Sequence, residues 1–214
     1  MYRPRVLIAE DHALLREAFH KLLELHHDIV GTVADGHALL DSAPRLKPDV
    51  ILLDIAMPLL NGFDAACQLK KIMPYVKLIF LTISEDPDLV RKALSLGGSG
   101  YLLKSSTPSE LFQAIREALR GRTYVTSQMA PGAGESFIRT SVDRKTTHEL
   151  TSRQREVLQL LAEGHSMKKA GAVLGVTPRT VAFHKYRLME EFRLKNNADL
   201  IQFAMKQHLV FQPA

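Results

Sequence analysis

The first 120 residues alternate short apolar runs with longer stretches in which apolar residues recur every three or four positions. The short runs are rich in β-branched side chains and predict strands, whereas the three-to-four spacing predicts helices. Because parallel strands need helical crossovers, the alternation predicts an α/β domain with a five-stranded parallel sheet, covered on both faces. The predicted strands are Val6–Ala9, Ile29–Val33, Val50–Leu53, Leu78–Leu81 and Tyr101–Leu103.

After residue 149 every pattern along the chain is helical. Thr151 and Gln154 have the spacing of a capping box, and Thr177-Pro178 opens a later helix. Four helices within about 60 residues predict a small all-α domain. Two of these helices are joined by the turn Gly175-Val176 and have the proportions of a helix-turn-helix.

The segment between the two patterned regions has no period. Pro131-Gly132-Ala133-Gly134 lies there among Ser, Thr, Arg and Lys, a composition typical of a flexible linker. We therefore predict one domain at 1–121, a linker at 122–148 and a second domain at 149–214.

Charge and composition narrow the function. The formal net charge of +5 lies entirely after residue 122, which favours a polyanionic partner for the second domain. Cys67 is the single cysteine, so an intrachain disulfide or a cysteine-based zinc site is excluded. No apolar run approaches the ~20 residues that span a bilayer. We expect a cytoplasmic protein without a membrane partner.

Polar side chains follow four of the predicted strands. The carboxyl ends of parallel strands meet at one edge of a sheet, where ligands bind in open α/β folds. Clustered carboxylates repel one another unless a cation intervenes, and hard oxygen ligands suit Mg²⁺. A hydroxyl and an ammonium beside them would bind phosphoryl oxygens. The residues expected at this edge are Glu10, Asp11, Asp54, Thr82 and Lys104.

These residues, with Asp54-Ile55-Ala56-Met57-Pro58, Gly62 and Tyr101-Leu102-Leu103-Lys104, resemble the receiver domain of two-component response regulators. The resemblance implies a flavodoxin-like fold and makes Asp54 the phosphoacceptor. It also implies that Asp11, Asp54 and the Ala56 backbone carbonyl bind Mg²⁺, with Glu10 assisting through water. Thr82 and Tyr101 would form a switch pair, in which Tyr101 turns inward on phosphorylation, and Lys104 would hold the phosphoryl group.

The second helix of the predicted helix-turn-helix is basic near its start. In such units this helix enters the major groove of DNA, with its first residues nearest the base edges. Its exposed candidates for DNA contact are Arg179, Ala182, Phe183, Lys185 and Tyr186.

The pattern Leu150-Thr151-x-Arg153-x-Arg155-Glu156, with Gly164-x-Ser166 and Thr180-Val181-x-x-His184, resembles the LuxR-type domain of NarL/FixJ regulators. By that resemblance Lys168, Lys169 and Thr180 contact phosphate, whereas Ala182, Phe183 and Tyr186 face bases. The chain departs from the family pattern at Gly171, where alanine is usual, and at Arg193, where glycine or asparagine usually ends the helix. Glycine inside a helix costs ~1 kcal/mol relative to alanine and predicts a softer scaffold.

Together the motifs predict a two-component response regulator. A sensor histidine kinase or a small phosphodonor would phosphorylate Asp54, and the active homodimer would bind double-stranded promoter DNA. One alternative keeps DNA binding but uses the receiver as a dimerisation or docking module, independent of phosphorylation; Ser105, where many receivers have proline, leaves room for it. An enzymatic alternative, a phospho-aspartate hydrolase, is disfavoured because Ala56 occupies the place of the second aspartate that haloacid dehalogenases use. We expect no enzyme.

Overall fold

The computed structural model describes residues 3–129 and 150–211. These residues form two compact units. Within the described ranges, no helix is both long enough and apolar enough to cross a bilayer.

The amino-terminal unit is built on a parallel sheet with strand order β2-β1-β3-β4-β5-β6. This arrangement confirms the predicted receiver-type α/β fold and adds a sixth strand. The central strands are buried except at the first residues of β1 and β4 because helices cover both faces, which explains their continuous apolar runs. The strands are β1 Arg5–Ala9, β2 Asp28–Val33, β3 Val50–Asp54, β4 Lys77–Thr82, β5 Gly100–Leu103 and β6 Tyr124–Val125.

Five helices connect the strands, and local signals set where they begin. A capping box begins α5: the Thr107 hydroxyl accepts from the Glu110 amide, and the Glu110 carboxylate accepts from the Thr107 amide. Asp86 caps α4 in front of Pro87. The helices are α1 Ala13–Leu23, α2 Gly36–Leu46, α3 Gly62–Ile72, α4 Pro87–Ser95 and α5 Pro108–Leu119.

The sixth strand lies at the start of the segment predicted to be a linker. Tyr124 and Val125 pair with Gly100 and Tyr101, and the Thr126 amide donates to the Tyr101 carbonyl at 3.0 Å. A 3₁₀ turn follows at Ser127–Met129. Two residues are too few to show a period of two, so the sequence pattern gave no signal for this strand. Residues 130–148 of the predicted linker lie outside the described residues.

The carboxy-terminal unit contains four helices, as the pattern predicts. Side chains of Thr151, Ser166, Thr177 and Asn196 each accept from an amide in the first turn of a helix. Leu158, Leu188 and Leu200 lie in one buried cluster that joins three of these helices. The helices are α6 Ser152–Ala162, α7 Met167–Val173, α8 Pro178–Glu191 and α9 Asn197–Lys206.

Gly171 permits the close approach of α7 to the turn that leads into α8. A Cβ atom added there would lie 2.7 Å from the carbonyl oxygen of Val176. The Val176 amide in turn donates to the Gly171 carbonyl at 2.9 Å. The glycine that departs from the family pattern therefore has a packing role, and a small residue is needed where the two backbones meet.

Candidate functional site

The carboxyl edge of the sheet gathers the predicted polar side chains. Asp54 and Thr82 are the last residues of β3 and β4, whereas Glu10 follows β1 and Lys104 follows β5. These four strands are consecutive neighbours in the sheet, so residues from distant parts of the chain meet at one place.

Lys104 links the two buried carboxylates of this cluster. Its Nζ lies 2.9 Å from Glu10 Oε1 and 3.0 Å from Asp54 Oδ2. The side chains of Glu10 and Asp54 are 0% and 1% exposed, and that of Lys104 is 12% exposed. The contact confirms that the three chain segments converge, and it places a cation against the carboxylate that the sequence singles out.

Burial dominates the electrostatics of the site. It raises the pKa of Asp54, and the nearby Lys104 ammonium only partly opposes that rise. It also raises the pKa of Glu10, which the charge of Asp54 raises further. Burial opposes the charge on Lys104, but the two carboxylates outweigh that effect and raise the pKa of Lys104. The carboxylate charges are therefore costly, and a further cation would stabilise them.

The acidic side chains fit a divalent metal ion. Glu10, Asp11 and Asp54 can each offer one ligand atom, and these atoms lie within 4.8 Å of one another. Glu10 Oε2 is buried and accepts no hydrogen bond from any described residue. Asp11 is exposed, which leaves room for water ligands. An all-oxygen set with access to water is the donor set that Mg²⁺ prefers.

Arg16 positions the acidic pair, and the sequence reading missed it. Its guanidinium donates to the backbone carbonyls of Glu10 and Asp11, at 2.7 and 3.1 Å. The Glu10 carboxylate also accepts from the His12 amide at 3.1 Å. The available signal was a basic residue one turn into the helix that follows the acidic pair.

Gly62 opens α3 against the backbone of β3. A Cβ atom added at Gly62 would overlap the carbonyl oxygen of Asp54. The Gly62 amide donates to the Ile55 carbonyl at 3.0 Å, and the Ala56 amide donates to Asp54 Oδ1 at 3.2 Å. This loop therefore packs closely on the Asp54 backbone, and its Ala56 amide orients the Asp54 carboxylate.

Thr82 and Tyr101 lie on neighbouring strands and are both buried. The Thr82 hydroxyl accepts from the Ser84 amide at 3.0 Å, and the Tyr101 hydroxyl donates to the Ser84 carbonyl at 3.1 Å. Burial raises the pKa of Tyr101 to about 12, so the phenol stays protonated at neutral pH. Tyr101 therefore lies inward, bonded to the loop that follows Thr82.

Lys104 reaches the site although Ser105 replaces the proline common in receivers. The described residues contain no cis peptide bond, so the Lys104–Ser105 bond is trans. The Lys104 amide donates to the Thr82 carbonyl at 2.6 Å, which anchors the start of the loop. The side chain then spans to Asp54 from that anchor.

The predicted DNA-contact residues lie mainly on α8. Its buried side is formed by Val181 and Leu188, whereas Arg179, Phe183 and Tyr186 are exposed. Thr180 is half-buried, and its hydroxyl lies 3.0 Å from that of the capping residue Thr177. One side of α8 is therefore exposed near the start of the helix, as the sequence predicts for a recognition helix.

The basic side chains that are predicted to contact DNA differ in their exposure and hydrogen bonding. Lys168 and Lys169 are exposed in the first turn of α7. Lys185, by contrast, donates to Asn197 Oδ1 at 2.8 Å and so is held towards α9. Burial lowers the pKa of His184, and the nearby Arg153 and Arg187 lower it further, so this imidazole is neutral at pH 7.

Two protein families match the chain in the order of its two units. Residues 6–116 match the response regulator receiver domain. Residues 148–204 match the bacterial regulatory proteins of the luxR family. The chain therefore belongs to the two-component response regulators. Its LuxR-type domain makes it, more particularly, a regulator of the NarL/FixJ type.

Individual relatives support this assignment. The oxygen regulatory protein NreC of Staphylococcus carnosus (strain TM300) is 31% identical over 96% of this chain and 99% of its own length. The crystal structure of a LuxR-family response regulator from Aurantimonas sp. SI85-9A1 has 27% identity and a TM-score of 0.60, covering 64% of this chain and 99% of that chain. RcsB of Salmonella typhimurium shares the fold, with a TM-score of 0.62 at 24% identity over 96% of this chain and 98% of that chain.

Proposed function

We propose that Asp54 is the phosphoacceptor of this response regulator and that its phosphorylation controls sequence-specific DNA binding. The observation that carries the proposal is the Lys104 ammonium, which lies 3.0 Å from Asp54 and 2.9 Å from Glu10 at a buried carboxyl edge. A cation in this position is suited to hold the phosphoryl oxygens once Asp54 is modified.

The chemistry is a phosphoryl transfer to a carboxylate. An Asp54 oxygen attacks the phosphorus of the donor, the bond to the leaving group breaks, and that group departs with the bonding electrons. Lys104 moves from the Asp54 carboxylate to a phosphoryl oxygen. The Thr82 hydroxyl, which accepts from the Ser84 amide, would turn its hydrogen from Tyr101 to another phosphoryl oxygen.

Mg²⁺ is the proposed cofactor, held by Asp11, Asp54 and the Ala56 carbonyl, with Glu10 assisting through water. When bound, it would neutralise charge between the carboxylates and an anionic donor. The support is the carboxylate cluster together with the buried, unbonded Oε2 of Glu10.

The DNA interface is proposed on α7 and α8. Lys168, Lys169 and Thr180 would contact phosphates. Arg179, Ala182, Phe183 and Tyr186 would face bases in the major groove, and Lys185 would join them only if it left Asn197. As a homodimer the protein would read half-sites about one helical turn apart, ~34 Å.

The wider setting follows from these roles. We propose a sensor histidine kinase as phosphodonor, promoter DNA as target and a cytoplasmic location, with no catalytic turnover on outside substrates. We also propose a receiver at 1–121 and a LuxR-type domain at 149–214, joined by a segment at 122–148 whose first residues pair with the receiver sheet as β6.

The test is phosphorylation of the full chain with acetyl phosphate and Mg²⁺, followed by intact-mass and DNA-binding measurements. The wild type should gain one phosphoryl group and bind DNA more tightly. Asp54→Ala should do neither, whereas Asp41→Ala, an exposed aspartate on α2, should behave as wild type. An unmodified wild type, or a modified Asp54→Ala variant, would overturn the assignment.

A second candidate function is favoured by the buried position of Tyr101. Tyr101 lies in the inward position expected of the active switch, with its hydroxyl bonded to the Ser84 carbonyl, so the receiver would act as a constitutive dimerisation or docking module. In that case Asp54→Ala would bind DNA as tightly as the phosphodonor-treated wild type. Equal affinities would establish this alternative, and a loss in the variant would exclude it.

A further inference from the structure

Two large aromatic side chains stand in water on the recognition helix. The exposed fractions of Phe183 and Tyr186 are 59% and 62%. Among the described residues of the carboxy-terminal unit, the only other exposed large hydrophobic side chain is that of Ile201, with an exposed fraction of 40%. Exposed apolar surface beside charged residues marks a place where a partner covers it.

Helical geometry places Phe183 and Tyr186 on the same face of α8 as two further residues, Arg179 and Ala182. Positions three, four and seven residues apart lie on the same side of an α-helix. Arg179, Ala182, Phe183 and Tyr186 have this spacing along α8. The opposite side carries Val181 and Leu188, which are fully buried in the domain. The four residues therefore form a single outward face, termed here the reading face.

The chemistry of the reading face is selective for certain bases. Adenine is read by the amides of Asn and Gln, and cytosine by the carboxylates of Asp and Glu. The reading face has neither. It offers apolar groups, which contact the C5-methyl group of thymine, and one guanidinium, which can bond the two acceptors of guanine.

The neighbouring lysine does not compete for bases in this arrangement. Lys185 donates to Asn197 Oδ1 at 2.8 Å, and its Nζ lies 6.0 Å from the centre of the Tyr186 ring. The ammonium of Lys185 is thus held between Asn197 and the edge of the reading face at Tyr186. The Phe183 ring has a T-shaped contact with His184, with ring centres 5.5 Å apart, which restrains its direction.

We propose that Phe183, flanked by Ala182 and Tyr186, reads the C5-methyl groups of thymines, and that Arg179 reads an adjacent guanine. The target half-site is therefore rich in thymine with one guanine. This inference rests on the proposed DNA-binding function and names the feature of DNA that the site recognises.

The experiment replaces thymine methyl groups one at a time. Duplexes are first selected from a random library by the full chain treated with acetyl phosphate and Mg²⁺. Each thymine of the selected half-site is then replaced by deoxyuridine, which lacks only the C5-methyl group. We expect the replacement to weaken binding of the duplex about 4-fold at each of one or two thymine positions, because it removes one buried methyl group.

The same substitutions in a variant assign the effect to a residue. Phe183→Ala should bind the thymine and deoxyuridine duplexes equally, because the contact is already missing. Since Phe183 is mostly exposed, the variant should fold normally, which circular dichroism checks. Ile201→Ala, which removes an exposed apolar side chain from α9, should keep the full wild-type preference for thymine.

The outcomes separate the two proposals. If the wild type binds its selected site but tolerates deoxyuridine at every position, thymine reading is refuted and the DNA-binding function stands. If Phe183→Ala retains the thymine preference, the assignment to Phe183 is wrong. If no duplex is enriched with or without the phosphodonor, the DNA-binding function and this inference both fail.

Discussion

At the scale of single residues, Arg193 ends α8 in an unusual backbone conformation. Its φ is 54°, in the left-handed region that favours glycine. The Leu194 amide donates to the Met189 carbonyl at 2.8 Å, which closes the helix end around Arg193. The departure from the family pattern at this position therefore carries a conformational cost, because the helix end keeps its geometry without the residue suited to it.

Replacing this residue tests that cost. Arg193→Gly should increase the free energy of unfolding by about 0.5–1 kcal/mol, because glycine adopts positive φ without the Cβ penalty. Urea unfolding of the full chain measures the change. Arg193→Ala is the matched control: it removes the same exposed side chain but keeps the Cβ atom, so it should give no gain. A gain of equal size in both variants would contradict the explanation.

The sequence predicted the residues of the acidic site more completely than the contacts made by the residues of the DNA interface. Asp54, Thr82 and Lys104 could be placed together because each follows a predicted strand, and strand ends share an edge. The partner of Lys185 could not be predicted, since Asn197 lies on another helix and its distance depends on how α8 and α9 pack.

At the scale of elements, β6 is fixed to the receiver by a hydrogen-bonded group around Glu110. The Glu110 carboxylate accepts from the Thr126 hydroxyl at 3.0 Å and the Ser127 hydroxyl at 3.1 Å. Thr126 is buried, and its hydroxyl also lies 3.0 Å from that of Ser106 in the loop after Lys104. The element that leaves the receiver is therefore bonded to the loop that carries a site residue.

Thr126→Val should loosen this attachment. The variant keeps the shape of the side chain but removes the hydroxyl that contacts the half-buried Glu110 and Ser106, which should cost about 1 kcal/mol of stability at pH 7. Thr32→Val, at an exposed position of β2, should change stability much less. Denaturant unfolding of the full chain measures both, and a comparable loss in the two variants would rule out the attachment.

The pH dependence of that loss has a definite sign. The Thr107 amide, with the donors from Thr126 and Ser127, lowers the pKa of Glu110. The ionised carboxylate therefore stabilises the fold above the ordinary glutamate pKa, and this contribution is lost as the pH falls through the lowered pKa. The difference between wild type and Thr126→Val should be largest near pH 7 and shrink in acid. A difference independent of pH would exclude Glu110 as the partner.

At the scale of the whole molecule, negative charge is concentrated at the site of one unit, whereas positive charge is in excess in the other unit. The amino-terminal unit concentrates carboxylates at a buried edge, whereas the formal net charge of +5 lies in the last part of the chain. One unit thus suits a small cation, and the other suits a polyanion.

Mg²⁺ should stabilise the full chain against heat. A ligand that binds only the folded state at ten times its Kd adds about 1.4 kcal/mol, which should appear as a higher Tm. Asp11→Ala should lose this increase, because Asp11 supplies an exposed ligand atom and little packing. NaCl at matched ionic strength controls for screening. An equal rise with NaCl, or an unchanged response in Asp11→Ala, would argue against the site.

The sequence by itself determined the order of the strands and helices, the helix caps and the set of polar residues at the strand ends. It could do so because period, capping and strand ends are local properties. Only the tertiary structure decided that β6 joins the sheet, that Arg16 holds the acidic pair and that the Tyr101 hydroxyl bonds to Ser84. Those features depend on distances between segments far apart in the chain, and packing, not local pattern, sets such distances.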